Sequence, residues 1–397
     1  MAYKDLREWL ARVEELGELR RAEGAHWDLE LGAIAQMLEK GWRMTGKAVG
    51  KASSELEGRP AILFDRIKDY PQGYRVLVGM LGSLPRLALT SNLPLDIDQW
   101  GYVQQWKRRL EAPQLIPPTL VSSGPVVENY YTGKDIDLWK FPTPRWFELD
   151  GGRYIGTASA IITRDPDSGW VNLGTYRVQV HDTDTLGFYI SPGKHGRIHR
   201  DKYFARGEPC PVVMCFGHDP LLHLVSSMQV PYGVSELDYA GGIRGEPLEV
   251  IKGEHTGLPI PAWAEIAIEG ESPPGERRVE GPFGEWTGYY ASGEREEPVV
   301  KVKALMHRHN PIMTGVPPRG STLIRAAEIW NSLDKAGVPD VRGVWSYQGR
   351  FITVVSIKQR YPGHAKQAAV IASQCQSGAH IGRYVIVVDE DIDASNI

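Results

Sequence analysis

Two glutamates, Glu280 and Glu285, bracket a Gly-Pro-Phe-Gly segment and carry the clearest chemical signal in the chain. A tight turn of that composition can fold both carboxyls into one pocket. Carboxylates held close together cannot both ionise easily, so the pKa of one is raised and that group can donate a proton; a nearby arginine would keep the other as a carboxylate. Trp286, Tyr289 and Tyr290 follow and favour a partly buried pocket. A surface turn with two solvated glutamates is the alternative.

Asn172 and Arg177 are the polar members of a second candidate cluster. On an ideal strand, residues five apart face opposite sides, but Gly174 between them could bend the strand and bring both toward one site. The alternative is a strand with one polar edge and a surface arginine.

A glycine-flanked loop that contains Lys194 and His195 is the next candidate along the chain. Its hydrogen-bond donors could hold a phosphate or a metal, or the loop could simply be solvated.

Glu236 lies in a turn-forming run that follows Ser226-Ser227-Met228. Its carboxylate could bind a hard divalent cation, which prefers oxygen ligands with perhaps one imidazole. Asn172, His195 and Glu236 together would make a mixed oxygen and nitrogen site suited to Mn²⁺ or Mg²⁺. The three residues lie far apart in the sequence, so spacing alone leaves a solvated Glu236 as the alternative.

The composition excludes several classes of protein. The 397-residue chain carries 45 basic and 49 acidic residues, without the basic excess that marks nucleic-acid binding. Its three cysteines, Cys210, Cys215 and Cys375, do not form the pattern of a disulfide framework. No stretch approaches the ~18 apolar residues of a membrane span, and the N-terminus has no apolar signal core. We therefore expect a reduced, cytoplasmic protein with neither nucleic acid nor membrane as a partner.

Apolar periodicity predicts three domains, at residues 1–115, 126–315 and 320–397, the first two joined by a proline-rich linker. The first domain combines amphipathic helices at 5–17 and 28–41 with short strands, which indicates an α/β unit. The second has strand-like segments between turn-forming clusters, which predicts a β-barrel. The third has a helix from 322 and a strand–helix–strand unit, which indicates a second α/β domain. The predicted strands are 61–64, 76–81, 155–163, 170–181, 212–216, 263–269, 299–306, 351–357 and 384–388, and the last two flank a predicted helix at 364–375.

Taken in order, these clusters resemble the motifs of the UbiD family of reversible decarboxylases, which use prenylated FMN. The most specific elements are Asn-(four residues)-Arg and Glu-Gly-Pro-Phe-Gly-Glu, and the resemblance covers essentially the whole chain. It implies a mixed α/β (α+β) fold in which a central split β-barrel, similar to flavin-reductase barrels, is flanked by N-terminal and C-terminal α/β domains. The other matching positions are Lys194-His195, Ser226-Ser227-Met228, Glu236 in Val-Ser-Glu, Asp137-Leu138, Phe141-Pro142 and Lys358.

The resemblance also implies roles for individual residues. Asn172, His195 and Glu236 are the implied ligands of a Mn²⁺ that ties the cofactor phosphate to the protein. A K⁺ or Na⁺ would lie among carbonyls around Ser226 and Met228. Arg177, Glu280 and Glu285 are the implied catalytic triad, with Glu285 as the proton donor. The implied cofactor-binding residues are Asn172, Thr175, Tyr176, Arg177, Lys194, His195, Ser226, Ser227, Met228, Glu236 and Lys358, the last for the phosphate.

The function implied is a non-oxidative, reversible carboxy-lyase that acts on an aromatic, heteroaromatic or α,β-unsaturated carboxylic acid and releases or fixes CO₂. Decarboxylation leaves two electrons on carbon, and only a cofactor can accept them. A separate flavin prenyltransferase would supply the prenylated FMN. Two alternatives are a split-barrel FMN reductase and a cofactor-binding subunit of a larger carboxylase complex.

Two positions depart from the family pattern. Lys194 stands where many members have glutamine, next to the implied metal-binding His195. The chain also ends soon after the Asp-rich Val388-Asp-Glu-Asp-Ile-Asp segment, where similar proteins continue into a further segment that often packs on another subunit. The C-terminal domain therefore resembles a truncated form, and we expect a homodimer or homohexamer whose assembly depends on that difference.

Overall fold

The computed structural model describes residues 3–39, 59–285, 288–315, 322–347 and 350–396. Within those ranges, no helix has the length and apolar character needed to cross a bilayer. The helices are α1 (Leu6–Glu15), α2 (Glu30–Glu39), α3 (Leu84–Thr90), α4 (Gln99–Glu111), α5 (His195–Ala205), α6 (Pro220–Ser226), α7 (Glu236–Arg244), α8 (Thr322–Lys335), α9 (His364–Gln374) and α10 (Gln376–Ala379). The strands are β1 (Leu19–Glu23), β2 (Ala61–Asp65), β3 (Arg75–Val78), β4 (Thr119–Leu120), β5 (Asn129–Thr132), β6 (Arg153–Gly156), β7 (Ala160–Arg164), β8 (Val171–Gly174), β9 (Val178–Val180), β10 (Thr185–Gly187), β11 (Cys210–Cys215), β12 (Glu249–Lys252), β13 (Pro259–Pro261), β14 (Ile266–Ser272), β15 (Arg277–Glu280), β16 (Arg295–His307), β17 (Ile312–Gly315), β18 (Val341–Tyr347), β19 (Ile352–Ile357) and β20 (Tyr384–Asp389).

The described chain forms two compact units, each assembled from segments that are distant in the sequence. The first unit takes the described parts of Met1–Ser83, Leu115–Ser226 and Tyr232–Pro318, and the second takes those of Leu84–Gln114, Ser227–Pro231 and Arg319–Ile397. Helices α3 and α4 therefore group with the C-terminal segment of the chain. The three-domain division drawn from the sequence stays a prediction.

A large antiparallel sheet of ten strands forms the centre of the first unit. Eight strands follow the order β6-β9-β10-β16-β14-β11-β7-β8, and β5 and β15 pair with β16 as well. β16 has 13 residues, so different parts of its length pair with different neighbours. The sheet curls into a half-barrel around a buried apolar core. The mixed α/β class and the split barrel predicted from the sequence are confirmed.

The first unit also contains two smaller sheets, in the orders β1-β2-β3-β17 and β13-β12-β4, and helix α1. The predicted amphipathic helix at 5–17 is confirmed as α1, and Asp5 caps its N-terminus by accepting hydrogen bonds from backbone N–H groups of the first turn. Leu6, Trp9, Leu10 and Val13 are its buried stripe. Burial of this one face is what the 3.6-residue periodicity indicates.

The second unit contains the three-stranded sheet β18-β19-β20. Strands β19 and β20 are parallel, with Ile352 opposite Tyr384, and α9 connects them along the chain. The strand–helix–strand unit predicted from the sequence is therefore confirmed. Helices α4 and α8 pack together in the same unit, where the ring of Trp100 lies 5.6 Å from that of Trp330 and 6.2 Å from that of Trp345.

Helices α5, α6 and α7 interrupt the region in which the sequence predicts strands and turns. The predicted loop around His195 and the predicted turn at Glu236 are wrong, because these two residues begin α5 and α7. The predicted strand 170–181 is divided into β8 and β9. Its middle leaves the ladder because the Thr175 N–H donates to the carbonyl oxygen of Ser226, at 3.3 Å, at the end of α6.

Candidate active site

Arg177, Glu280 and Glu285 meet in the first unit. The guanidinium of Arg177 binds Glu280 through two hydrogen bonds, Nε to Oε1 at 2.7 Å and Nη2 to Oε2 at 2.8 Å. Its third nitrogen, Nη1, donates to Oε1 of Glu285 at 3.1 Å. The exposed fractions of the three side chains are 9%, 1% and 32%. The arginine therefore joins one fully buried carboxylate to one that reaches solvent.

The break between β8 and β9 positions this arginine. Arg177 directly precedes β9, and Glu280 is the last residue of β15. The ring of Tyr189 lies 4.5 Å from the guanidinium carbon, and the ring of Phe283 lies 5.5 Å from it. These rings reduce the freedom of the side chain, because a guanidinium is attracted to aromatic faces.

Tyr154 is a member of the site that the sequence analysis missed. Its hydroxyl donates to Oε1 of Glu280 at 3.1 Å, so this buried carboxylate accepts three hydrogen bonds. Burial raises the pKa of Tyr154, and the charge of Glu280 acts in the same direction. The phenol therefore keeps its proton and remains a donor. Tyrosine on a buried strand gives no distinctive sequence signal, since it is common in sheets.

The environment of Glu285 raises the pKa of its carboxyl. Burial is the largest cause, the negative charge of Glu280 adds to it, and the positive charges of Arg177 and Arg295 oppose it. This agrees with the sequence-based expectation that one of two neighbouring carboxyls holds a proton more strongly. Of the aromatic residues expected at a partly buried pocket, Tyr289 is exposed, Tyr290 accepts a hydrogen bond from the Leu149 N–H at 2.8 Å, and Trp286 lies outside the described residues.

The three predicted metal ligands form a second cluster. Nδ1 of His195 lies 3.9 Å from Oε1 of Glu236, while Oε2 of Glu236 accepts a hydrogen bond from the Leu173 N–H at 2.8 Å. The amide nitrogen of Asn172 donates to the hydroxyl of Tyr176 at 3.3 Å, so its carbonyl oxygen points away from the phenol. The cluster thus combines an imidazole, a carboxylate oxygen and an amide oxygen, a donor set that suits Mn²⁺.

Tyr176 fits into this cluster because two glycines leave room for it. A Cβ on Gly174 would lie 2.2 Å from the phenol oxygen, and a Cβ on Gly196 would lie 2.7 Å from the ring. The phenol oxygen also accepts a hydrogen bond from the Gly196 N–H at 3.1 Å. Tyr176 therefore connects β8, which carries Asn172, to the start of α5, which carries His195.

The remaining predicted cofactor residues fall in both units. Thr175 and Ser226 are joined by a hydrogen bond of 2.5 Å between their hydroxyls, in the first unit. Lys194 directly precedes α5 as its N-cap. Ser227 and Met228 belong to the second unit, as does Lys358, whose ammonium group forms an ion pair with Glu390 at 3.1 Å.

Comparison with known proteins assigns the chain to a family. The family models of 3-octaprenyl-4-hydroxybenzoate carboxy-lyase match it in three parts: the N-terminal domain at residues 10–96, the Rift-related domain at 119–320 and the C-terminal domain at 321–397. The phenolic acid decarboxylase of Bacillus subtilis is 34% identical over 413 residues, which cover 100% of this chain and 83% of the relative. The pyrrole-2-carboxylic acid decarboxylase of Pseudomonas aeruginosa is 35% identical over 363 residues, which cover 85% of this chain and 73% of the relative.

Solved structures agree. An evolved dimeric form of the UbiD-class enzyme HmfF from Pelotomaculum thermopropionicum, in complex with prFMN, matches with a TM-score of 0.84 and 31% identity, covering 99% of this chain and 87% of that one. The closed form of the vanillic acid decarboxylase of Sedimentibacter hydroxybenzoicus matches with a TM-score of 0.85 and 31% identity, covering 100% and 83%. The chain belongs to the UbiD family of carboxy-lyases.

Proposed function

We propose that this protein is a prenylated-FMN-dependent, non-oxidative decarboxylase of an aromatic, heteroaromatic or α,β-unsaturated carboxylic acid, and that it also runs in reverse. The observation that supports this most is the arrangement of Arg177 between buried Glu280 and half-buried Glu285. Relatives named for phenolic and pyrrole-2-carboxylic acids support the substrate class. The bound prFMN of a structural neighbour supports the cofactor.

The triad residues take distinct roles in this proposal. When bound, prenylated FMN supplies the electron sink that amino-acid side chains lack. Arg177 orients the substrate carboxylate through its charge and planar donors, and it holds Glu280 as a carboxylate. Glu285 donates a proton from its carboxyl to the substrate carbon after CO₂ has left, and in the carboxylation direction it removes that proton.

The second cluster holds the metal in the same proposal. Asn172, His195 and Glu236 offer Mn²⁺ oxygen and nitrogen donors, and the hydrogen bonds of Glu236 and Tyr176 fix where two of those donors point. Carbonyl oxygens near Ser226 and Met228 suit K⁺ or Na⁺. Lys194, in the same unit as this cluster, provides positive charge for the cofactor phosphate.

Glu236→Gln is expected to weaken Mn²⁺ binding by more than the ~10–100-fold that is typical of losing an outer-shell partner, because a ligand itself loses its charge. Equilibrium dialysis with Mn²⁺ alone, read by electron paramagnetic resonance of the free ion, measures this change. The control is Asp201→Asn, which removes a half-exposed carboxylate of α5 that pairs with Arg200. Equal Mn²⁺ affinity for Glu236→Gln and the unmodified protein would contradict the assignment.

The decarboxylation rate is expected to fall on the alkaline side of its pH profile. Glu285 must carry a proton to donate one, and ionisation removes that proton as the pH rises through its pKa. Because burial raises that pKa, the fall begins at a higher pH than an ordinary glutamate would give. A profile of kcat against pH measures the effect, and the carboxylation direction should show the opposite dependence. A decarboxylation rate that increases steadily with pH would contradict the role of Glu285.

The proposal as a whole is tested by anaerobic reconstitution with prenylated FMN and Mn²⁺. Benzoic, hydroxybenzoic, furoic, pyrrole-carboxylic and cinnamic acids are then assayed for CO₂ release and for hydrogen–deuterium exchange at the reacting carbon. We expect activity with prenylated FMN and none with plain FMN. NAD(P)H oxidation by the FMN-loaded protein would favour a reductase instead. Loaded protein that converts no acid alone would favour a subunit of a larger complex.

A further inference from the structure

The turn that carries Glu285 rests on a separate segment of the first unit, residues 146–151. The Gly151 N–H donates to the carbonyl oxygen of Pro282 at 2.8 Å. A Cβ on Gly151 would lie 1.8 Å from the carbonyl oxygen of Gly281, so the two backbones touch at a position where only glycine fits. The segment therefore supports the turn by direct backbone contact.

Asp150 makes the side-chain contact between the same two segments. Its Oδ1 accepts a hydrogen bond from the Gly284 N–H at 2.8 Å. Its Oδ2 accepts hydrogen bonds from the N–H groups of Trp146 at 3.2 Å and Phe147 at 3.0 Å. The Phe147 ring packs against Gly284, where a Cβ would lie 2.3 Å from it. One carboxylate, only 6% exposed, thus joins its own segment to the residue that directly precedes Glu285.

We propose that Asp150 is a positioning residue: by holding the backbone of the turn, it keeps the carboxyl of Glu285 in the position from which it delivers its proton. This inference rests on the proposed function, because it assigns Asp150 a part in the reaction proposed above. Gly284 is the last residue before Glu285, and the Glu285 N–H in turn donates to the carbonyl oxygen of Tyr289 at 3.2 Å. The two bonds therefore hold two successive peptide groups, those of Gly284 and Glu285, that lead directly into the Glu285 side chain.

The chemistry of Asp150 fits an anchor and not a second proton donor. Its two oxygens face three backbone N–H groups, which bind a carboxylate better than a neutral acid. Burial raises the pKa of Asp150 to about 6, and these donors together with the charge of Arg145 act against that rise. At neutral pH the group is therefore a carboxylate with its acceptors in use.

Asp150→Asn tests the anchor in the protein without cofactor. The amide NH₂ has to replace one of the two oxygens, so at least one of the three N–H donors faces another donor and loses its bond. We expect amide hydrogen exchange to accelerate at least ~10-fold in the peptide that covers residues 281–285 if the amide nitrogen faces Gly284, and in the peptide that covers 146–147 if it faces that segment. The matched control is Glu269→Gln, since Glu269 is also buried and accepts hydrogen bonds from the N–H groups of residues 254–256. It should accelerate exchange in its own loop and leave 281–285 unchanged.

The reconstituted enzyme tests the catalytic part of the inference. We expect Asp150→Asn to lower kcat by ~10–100-fold, the loss typical of a reacting group displaced by about 1 Å, with cofactor loading and KM unchanged. The solvent deuterium isotope effect on kcat should increase, because proton delivery becomes slower. A general loss of folded protein would lower the measured rate without changing that isotope effect. Asp150→Ser, which keeps one oxygen acceptor in a smaller side chain, replaces Asp150→Asn if the latter does not fold.

Each outcome separates this inference from the proposed function. Unchanged exchange at both 146–147 and 281–285 would overturn the anchor, whatever the enzyme does. Accelerated exchange with unchanged kcat and isotope effect would overturn the role of Asp150 in proton delivery. If the unmodified, loaded protein converts no acid, the proposed function fails, while the exchange experiment still decides whether Asp150 holds the turn.

Discussion

Glu285→Gln is expected to lower kcat by ~10²–10⁴-fold, the usual contribution of a general acid, while prenylated FMN still binds. The glutamine amide keeps the shape of the carboxyl and can accept the hydrogen bond that Arg177 Nη1 donates to Oε1, at 3.1 Å. The amide has no acidic proton, so it cannot transfer one at the pH at which the glutamate carboxyl does. The variant therefore separates binding from proton delivery. Turnover with a saturating acid and the absorbance spectrum of the loaded protein are the two measurements.

The control for this variant is Glu271→Gln. Glu271 lies on β14 of the same sheet, and its side chain is 36% exposed, close to the 32% of Glu285. Its partner is Lys303 and not the triad arginine. We expect this substitution to leave kcat unchanged. Full activity of Glu285→Gln, or equal losses in both variants, would contradict the proton-donor role.

The proximity of Arg177, Glu280 and Glu285 follows from the family resemblance, which rests on unusual local patterns in the sequence. Two glutamates around Gly-Pro-Phe-Gly, and an arginine five residues after an asparagine, stand out in a single sequence. Tyr154 and Asp150 were not predictable in the same way. Their neighbours in sequence are ordinary for a strand and a turn, and they reach the triad only because β6 pairs with β9 and the segment before β6 packs under the turn.

The cluster of Asn172, His195 and Glu236 shows a different limit of prediction from sequence. His195 and Glu236 approach each other as the first residues of two helices, and neither helix was predicted. α5 has charged residues on several faces, so it lacks the apolar stripe that reveals a helix. α7 contains two glycines, each of which costs a helix about 1 kcal/mol relative to alanine. One of them, Gly241, is needed because a Cβ there would lie 2.3 Å from the carbonyl oxygen of Ile116.

Elements with regular periodicity were predicted well by contrast. Helices α1 and α9 have buried residues at regular spacing, and the structure places both helices and the strands β19 and β20 within a few residues of the expected bounds. Periodicity reports the burial of one element against a core. Periodicity does not tell which distant segment packs against that element, and the site is formed by such contacts between distant segments.

Arg177→Met is expected to destabilise the first unit by ~3–5 kcal/mol and to abolish decarboxylation. Glu280 is 1% exposed, and the arginine provides two of the three hydrogen bonds on its carboxylate. Removing one partner of a buried ion pair leaves the other charge buried and uncompensated, which strongly lowers the free energy of unfolding. Urea unfolding of the protein without cofactor measures the free energy of unfolding. The control is Arg21→Met, whose ion pair with Glu14 is exposed on both sides and should give no measurable change.

The double variant Arg177→Met/Glu280→Leu decides whether the uncompensated charge is the cause. A buried ion pair replaced as a whole by apolar residues of similar volume is often neutral or even stabilising, because the desolvation of both charges is relieved together. We therefore expect the double variant to be more stable than Arg177→Met alone, although it remains inactive. If the lost stability came instead from the packing of Arg177 against Tyr189 and Phe283, the second substitution would lower stability further. Recovered stability without recovered activity would identify Arg177 and Glu280 as a pair kept for chemistry, since the fold can form without their charges.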